Sequence, residues 1–392
     1  MFRFATILLI QMLCGMEMDL FIPSFPELQE VFELTPFMVQ MTISVNFTAF
    51  CLCSLFAGAL GDRYNRRHVM LIGLLIFVLG SILCVSATHY VMLLLGRFLQ
   101  GVGIAAPAIL SFPILLDDYS PQKQPGVMSM INGVKTFATA FAPVIGSFVN
   151  LYFSWRGNFT LLLSLSALCL VACYFAVPSK AGNNTVSLSP LTYLPLLKST
   201  KVLGYIFSIS LIASAYFVFV GMAPILYMED MGVKLQHFGY YQGVLSLAFA
   251  LVCVLSPPLL NAFGLKRCLY FGMALCFIGA LLILGLVIKE INQPFIITAF
   301  GVIFSLGAAF PINILYPRLL QAIPHTQGRS AALGQSIMLL LIAILIQGVS
   351  YIYVGHFKPI GLVMSFTILF ALIIISLMIK NKSILLVAPS TT

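Results

Sequence analysis

The chain has 392 residues, of which 61% are hydrophobic and only 8% charged, whereas a water-soluble globule is ordinarily about half apolar and a quarter charged. That balance excludes a soluble domain and points to a polytopic membrane protein. The net charge of +9 falls in short loops between apolar runs, with no basic face interleaved with aromatics, so it reads as membrane topology and excludes nucleic acid as a partner.

A helix needs about 20 apolar residues to cross a hydrocarbon core of ~30 Å, and about twelve such segments follow one another. The first runs from Phe4 to Phe25 and carries two acids, Glu17 and Asp19. Its start, from Phe2 to Cys14, continues through Asp19 to Pro26 without a small-residue cleavage site, so it is expected to be a retained helix. The second segment, Pro36 to Leu60, contains Asn46 and leads into a charged hinge, GALGDRYNRRHVM, between Gly58 and Met70. The third covers His68 to Ala87, and the fourth, His89 to Leu116, holds Arg97 and Gln100. The fifth, Pro125 to Tyr152, contains Asn132, Lys135, Pro143 and Gly146, and the sixth spans Asn158 to Val177.

The interval Pro178 to Lys201, with Ala-Gly-Asn-Asn-Thr, Ser-Leu-Ser-Pro and three lysines, reads as a cytoplasmic linker. Six further segments follow at Val202 to Met228, Phe238 to Leu260, Cys268 to Ile288, Pro294 to Pro317, Ser330 to Tyr353 and Pro359 to Ile379. Between the second and third of these, Asn261 to Arg267 (NAFGLKR) echoes the first hinge without its acid. The polar residues Asn313, Gln335 and Gln347 lie inside this half, which is otherwise poor in charge and rich in aromatics such as Tyr216, Phe217, Phe219 and Tyr227. The segments lack the alternation of a barrel, so the expected fold is all-α: twelve transmembrane helices in two six-helix bundles. The bundles are expected over 1–177 and 202–392, the second with a short cytoplasmic tail, joined by the linker 178–201.

If Arg3 faces the cytoplasm, that side also collects Arg63, Arg66, Arg67, Lys123, Lys180, Lys198, Lys201, Lys266, Arg267, Arg318, Arg329, Lys380 and Lys382. The opposite loops hold Arg156, Lys234, Lys289 and Lys358. This bias predicts that both termini are cytoplasmic. The nine cysteines lack paired metal-ligand spacing and read as small buried hydrophobes, and no cofactor or metal site is expected. The absence of a Ser/His/acid set or a Gly-rich phosphate loop speaks against an enzyme.

Three motifs carry a family resemblance. Gly58, Gly61, Asp62, Arg63, Arg66 and Arg67 resemble the G-x-L-x-D-R-x-x-R-R/K signature of the major facilitator superfamily, and Arg97 with Gln100, Gly101 and Gly103 resembles its fourth-helix motif. Asp19, Pro23 and Pro26, in MDLFIPSFPEL, are similar to the D-M-Y-L-P-x-x-P of the Bcr/CflA branch of drug:proton antiporters. The antiporter motif of the fifth helix is only partly present: FAPVIGSF keeps Pro143 and Gly146 but has Ala142 and Ser147. The resemblance implies a major facilitator fold in a bacterial cytoplasmic membrane, a small-molecule substrate, a proton as coupling ion and a monomer. It also implies that the hinge latches the two halves.

Ionisable groups inside membrane helices are costly and tend to serve function. Asp19 is expected to line the cavity and carry the proton, or else to be the permanent partner of an arginine, and Glu17, about 200° away on the same helix, is the second proton-coupling candidate. Arg97 stays charged and is expected to act as a coupling element or a structural hub. Lys135 either neutralises an acid or attracts an anionic substrate, and Asn46, Gln100, Asn132, Asn313 and Gln335 either line the cavity or glue helices together. In the hinge, Asp62 can cap the third helix or pair with nearby arginines, while Gly58 and Gly61 allow close approach. Proton-coupled efflux of drug-like compounds is the expected function; transport of an anionic metabolite, or a receptor built on a transporter fold, are the alternatives.

Overall fold

A computed structural model describes residues 2–116, 119, 124–179, 190–323 and 327–381. The first crossing is α1 (Phe2–Asp19), a single 3-10 turn (Ile22–Ser24) and α2 (Phe25–Phe32). It is broken where Pro23 and Pro26 withdraw two backbone donors. There follow α3 (Pro36–Arg63), α4 (Arg66–Val85), α5 (Tyr90–Leu116) and a long element, α6 (Gln124–Ala176). Helix α6 is interrupted at Ser154, whose φ of 56° and ψ of −176° are not helical. A short helix, α7 (Leu194–Lys198), precedes α8 (Thr200–Pro224), which ends in a π-helical turn at Ile225–Asp230. The remaining helices are α9 (Leu235–Phe263), α10 (Leu265–Ile288), α11 (Pro294–Leu320), α12 (Gln327–Tyr351) and α13 (Lys358–Lys380).

Eleven helical stretches among the described residues are long and apolar enough to span a bilayer, one of them the 47 residues Met130–Ala176. The break at Ser154 divides that stretch into two crossings, which makes twelve (11 + 1). Helices are the form lipid permits, because each satisfies its own backbone groups.

The chain divides into two compact units, Met1–Thr192 with Lys234–Gly239, and Tyr193–Val233 with Tyr240–Thr392. In the first unit α1 packs along α6, α3 along α5, and α4 against both α5 and α6. The α4–α5 seam is a backbone contact: a Cβ at Gly80 would stand 2.7 Å from the Gly96 carbonyl oxygen, and one at Gly96 would stand 2.8 Å from that of Gly80. Such mutual approach is available only to glycine. In the second unit α8 packs against α11, α12 and α13, and α10 against α11 and α13.

Three local expectations are corrected. Asn65, not Asp62, caps α4: its extended backbone lets its side chain accept from the Arg67 amide, whereas Asp62 belongs to the last turn of α3. The Asp62 side chain itself lies outside the described residues. Gly58 has room for a Cβ, whose nearest neighbour would be Ile109 Cγ2 at 3.9 Å, while at Gly61 a Cβ would collide with Leu110. The second hinge is shorter than Asn261 to Arg267, since α9 runs to Phe263 and Gly264 alone, at φ 79°, separates it from α10. Within the expected linker, 180–189 lie outside the described residues, as do Lys123 and Lys382. Its far end folds into a turn at Pro190–Tyr193 and the helix α7.

Candidate functional site

The break in the first crossing places Asp19 at the last residue of α1, two residues beyond Glu17, and both acids are buried. Their surroundings differ. Glu17 Oε1 accepts from Asn46 Nδ2 at 2.6 Å and lies 3.6 Å from the Arg97 guanidinium, with both side chains essentially inaccessible. Asn46 also donates to the Arg97 carbonyl at 3.1 Å, so α1, α3 and α5 meet at one amide. Arg97 donates further to Gln100 Oε1 at 2.6 Å and to the Thr42 carbonyl at 3.3 Å. Its guanidinium stacks 4.2 Å above the Phe21 ring centroid, and Gln100 passes the network on to Ser81 at 2.9 Å. This is a charge pair with nearly every donor used, the condition under which a buried ion pair is tolerated.

Asp19 has no such partner. It is 2% exposed, and its Oδ1 is buried without a hydrogen bond among the described residues. The backbone of the next residue, Leu20, is held against α6, where a Cβ on Gly146 would overlap its carbonyl oxygen. Just beyond, Ser24 Oγ donates to Asn150 Oδ1 at 2.7 Å and accepts from Asn158 Nδ2 at 2.8 Å. The Trp155 amide donates to Glu27 at 2.9 Å. The unwound segment is therefore fixed by polar contacts on both sides of the Ser154 break. Gly146 serves this packing, and Pro143 lies inside α6 three residues before it, where it withdraws a backbone donor.

Of the other candidate residues, Lys135 is half-buried on α6, with its carbonyl accepting from Thr139 Oγ1 at 3.0 Å. Asn132 is exposed. Arg67 donates to the Tyr174 carbonyl at 2.7 Å and stands over the Tyr174 ring at 4.9 Å, and Asn65 donates to Ser179 at 2.6 Å. These hinge contacts lie within the first unit. In the second unit Asn313 bonds Ser256 at 3.0 Å, joining α11 to α9, and Gln335 is half-buried on α12.

Thr42, Ser81 and Phe21 complete the cage around Arg97 and were not foreseen, because one hydroxyl or one aromatic in an apolar run carries no distinguishing signal. The second unit also buries Ser208, Ser210 and Ser214 on α8, Gln242 on α9 and Ser305 on α11, all with side-chain atoms lacking partners among the described residues. Their polarity within apolar runs was the available clue.

With the crossings and the buried charges in place, comparison with known proteins decides the family. The family profile described as Major Facilitator Superfamily matches residues 7–346. The chain belongs to the Major Facilitator Superfamily. It is 27% identical over 309 residues to a protein named bicyclomycin resistance protein homolog from Haemophilus influenzae, covering 77% of each chain. It is also 26% identical over 318 residues to the multidrug resistance protein MdtL of a Shewanella species, covering 80% of each. MdtL of an Escherichia coli O45:K1 strain is 26% identical over 332 residues, covering 83% of this chain and 84% of that one. Among solved structures, a D-xylose–proton symporter superposes with a TM-score of 0.73 at 14% identity, covering 94% of this chain and 96% of that chain. The xylose transporter XylE from E. coli, in a partially occluded inward-open conformation, superposes with a TM-score of 0.75 at 12% identity, covering 97% of each chain. These likenesses establish the major facilitator fold. The chain is thus a multi-pass membrane transporter of a family that carries small molecules, and not an enzyme.

Proposed function

We propose that this transporter couples proton entry to the export of drug-like or other small amphipathic compounds, by alternating access between its two six-helix bundles in a bacterial cytoplasmic membrane. The observation that carries this reading is Asp19, a buried carboxyl with an unpartnered oxygen at the break of the first crossing. Ionised, it is an intramembrane charge costing about 2.5–3.5 kcal/mol or more, whereas protonated it is neutral. Proton release therefore creates a charge that a substrate or a rearranged helix must satisfy, and proton uptake removes it. Arg97, already neutralised by Glu17, holds α1 against α5 while this happens. The names of the relatives, bicyclomycin and multidrug resistance proteins, support the substrate class and the outward direction.

The anionic-metabolite reading loses support from the same geometry, because the Arg97 charge is already answered by a carboxylate. The deciding experiment uses proteoliposomes with an imposed pH gradient and a panel of bicyclomycin, lipophilic cations and small carboxylates. Gradient-driven movement of the first two is expected. Selective movement of carboxylates would overturn the reading, and no movement of any compound would favour a receptor.

A further inference from the structure

The first unit carries a second structured surface, built from α4 and the second half of α6 and sharing no residue with the cage around Glu17 and Arg97. Between α4 and the second half of α6 lies an open groove of about 390 Å³, lined by Leu71, Ile72, Leu75, Val171, Tyr174 and Phe175. Ile72, Leu75, Val171 and Phe175 are all exposed, so the surface presents apolar side chains to whatever surrounds the bundle.

The two ends of this groove differ. On α4, Leu71 and Leu75 stand one and two turns after Arg67, and Ile72 stands one turn after His68, so the apolar lining and the basic residues share one helical face. Arg67 is placed at the mouth directly, since its guanidinium lies 4.9 Å above the ring of Tyr174. Its Nε is buried with no hydrogen-bond partner among the described residues, and His68 is exposed beside it. This mouth is also the N-terminus of α4, where the helix dipole favours an anion. From Arg67 to Leu75 the face runs about 12 Å at ~1.5 Å per residue, close to the depth of one leaflet of a ~30 Å core.

We propose that this groove is a binding site for an anionic diacyl phospholipid, one acyl chain lying along Leu71, Ile72, Leu75 and Val171 and the phosphate held at Arg67 and His68. Any lipid tail satisfies the apolar strip, but an anionic headgroup also answers the charge: the stretch Asp62 to His68 carries Arg63, Arg66 and Arg67 against the single acid Asp62. Because Arg67 also ties α4 to Tyr174, the lipid would clamp the ends of these two helices together. This inference does not depend on which substrate is carried.

The test is native mass spectrometry of the purified transporter after incubation with equimolar dioleoyl phosphatidylglycerol and dioleoyl phosphatidylcholine. The wild type is expected to retain phosphatidylglycerol about fivefold over phosphatidylcholine, the preference one surface arginine confers. Arg67→Gln should abolish that preference and Arg67→Lys should keep most of it. Ile72→Trp, at an exposed position where it fills the groove without disturbing the core, should lower retention of both lipids while the fold is intact by thermal melting. Equal retention of the two lipids by the wild type, an unchanged ratio in Arg67→Gln, or wild-type lipid occupancy in Ile72→Trp would each overturn the proposal.

Discussion

Two carboxyls two residues apart are used differently. Glu17 neutralises Arg97, so Glu17→Gln leaves a buried guanidinium uncompensated, a loss of about 3–5 kcal/mol where a buried pair is broken. Asp19→Asn removes no described hydrogen bond and little volume. The expected outcome is therefore a crossed one: Glu17→Gln lowers the melting temperature and the yield of folded protein but keeps pH-dependent substrate affinity in what remains. Asp19→Asn melts near the wild type, loses uphill transport under a pH gradient and binds substrate independently of pH. If Asp19→Asn keeps the wild-type pH profile, the proton carrier has been misplaced. Sequence alone singled out both acids, since charge in an apolar run is conspicuous. It could not assign the partner of Arg97, because Glu17 and Arg97 are joined through the packing of α1 on α5, and the Asn46 amide that links them sits on a third helix.

At the scale of elements, the breaks matter as much as the helices. Gly146 sits where α6 touches the unwound backbone at Leu20, and a backbone oxygen cannot swing aside as a flexible side chain can. Gly146→Ala is expected to destabilise by about 1–3 kcal/mol, as overpacking does, and to lower transport by displacing the Asp19 turn. A melting curve with a parallel transport assay reads both, and wild-type behaviour in both would show that the close approach is dispensable. At the far end of α8, the π-helical turn brings Asp230 to accept from the Tyr353 hydroxyl, and burial together with that bond raises the phenol above its ordinary pKa. Tyr353→Phe should loosen the tie between this turn and the loop before α13, seen as faster hydrogen exchange at Gly355 to Phe357. The helices were legible from length and hydropathy, and the first break from its two prolines. The break at Ser154 falls in the interval the sequence leaves between the fifth and sixth segments, and only its form, a single serine at positive φ with helix on both sides, was not announced, because glycine is the residue that usually marks such a backbone.

At the scale of the whole molecule, the hinge between α3 and α4 is expected to matter for cycling. Asp62→Asn removes a charge from the end of a helix and not from the bilayer core, so the variant should insert and express normally while transporting poorly. Normal transport by that variant would remove the latch role. The basic residues predict both termini on the cytoplasmic side, which reporter fusions at each terminus would check. Twelve crossings and the family were readable from composition and three short motifs. The second half gave less, since its polar residues, Gln242 and the α8 serines among them, acquire meaning only through burial.

The glycine seam between α4 and α5 has a mechanical consequence. At Gly80 and Gly96 each helix meets the other's backbone, with Cys84 and Leu99 closing the same seam, so neither helix can slide past the other without a backbone collision. The two crossings therefore form a single strut, and the strain of each turnover must be taken up in segments that can bend. Spin labels at Ile72 and Leu95, both exposed positions, would then keep one narrow separation throughout the cycle, like marks scribed on one beam.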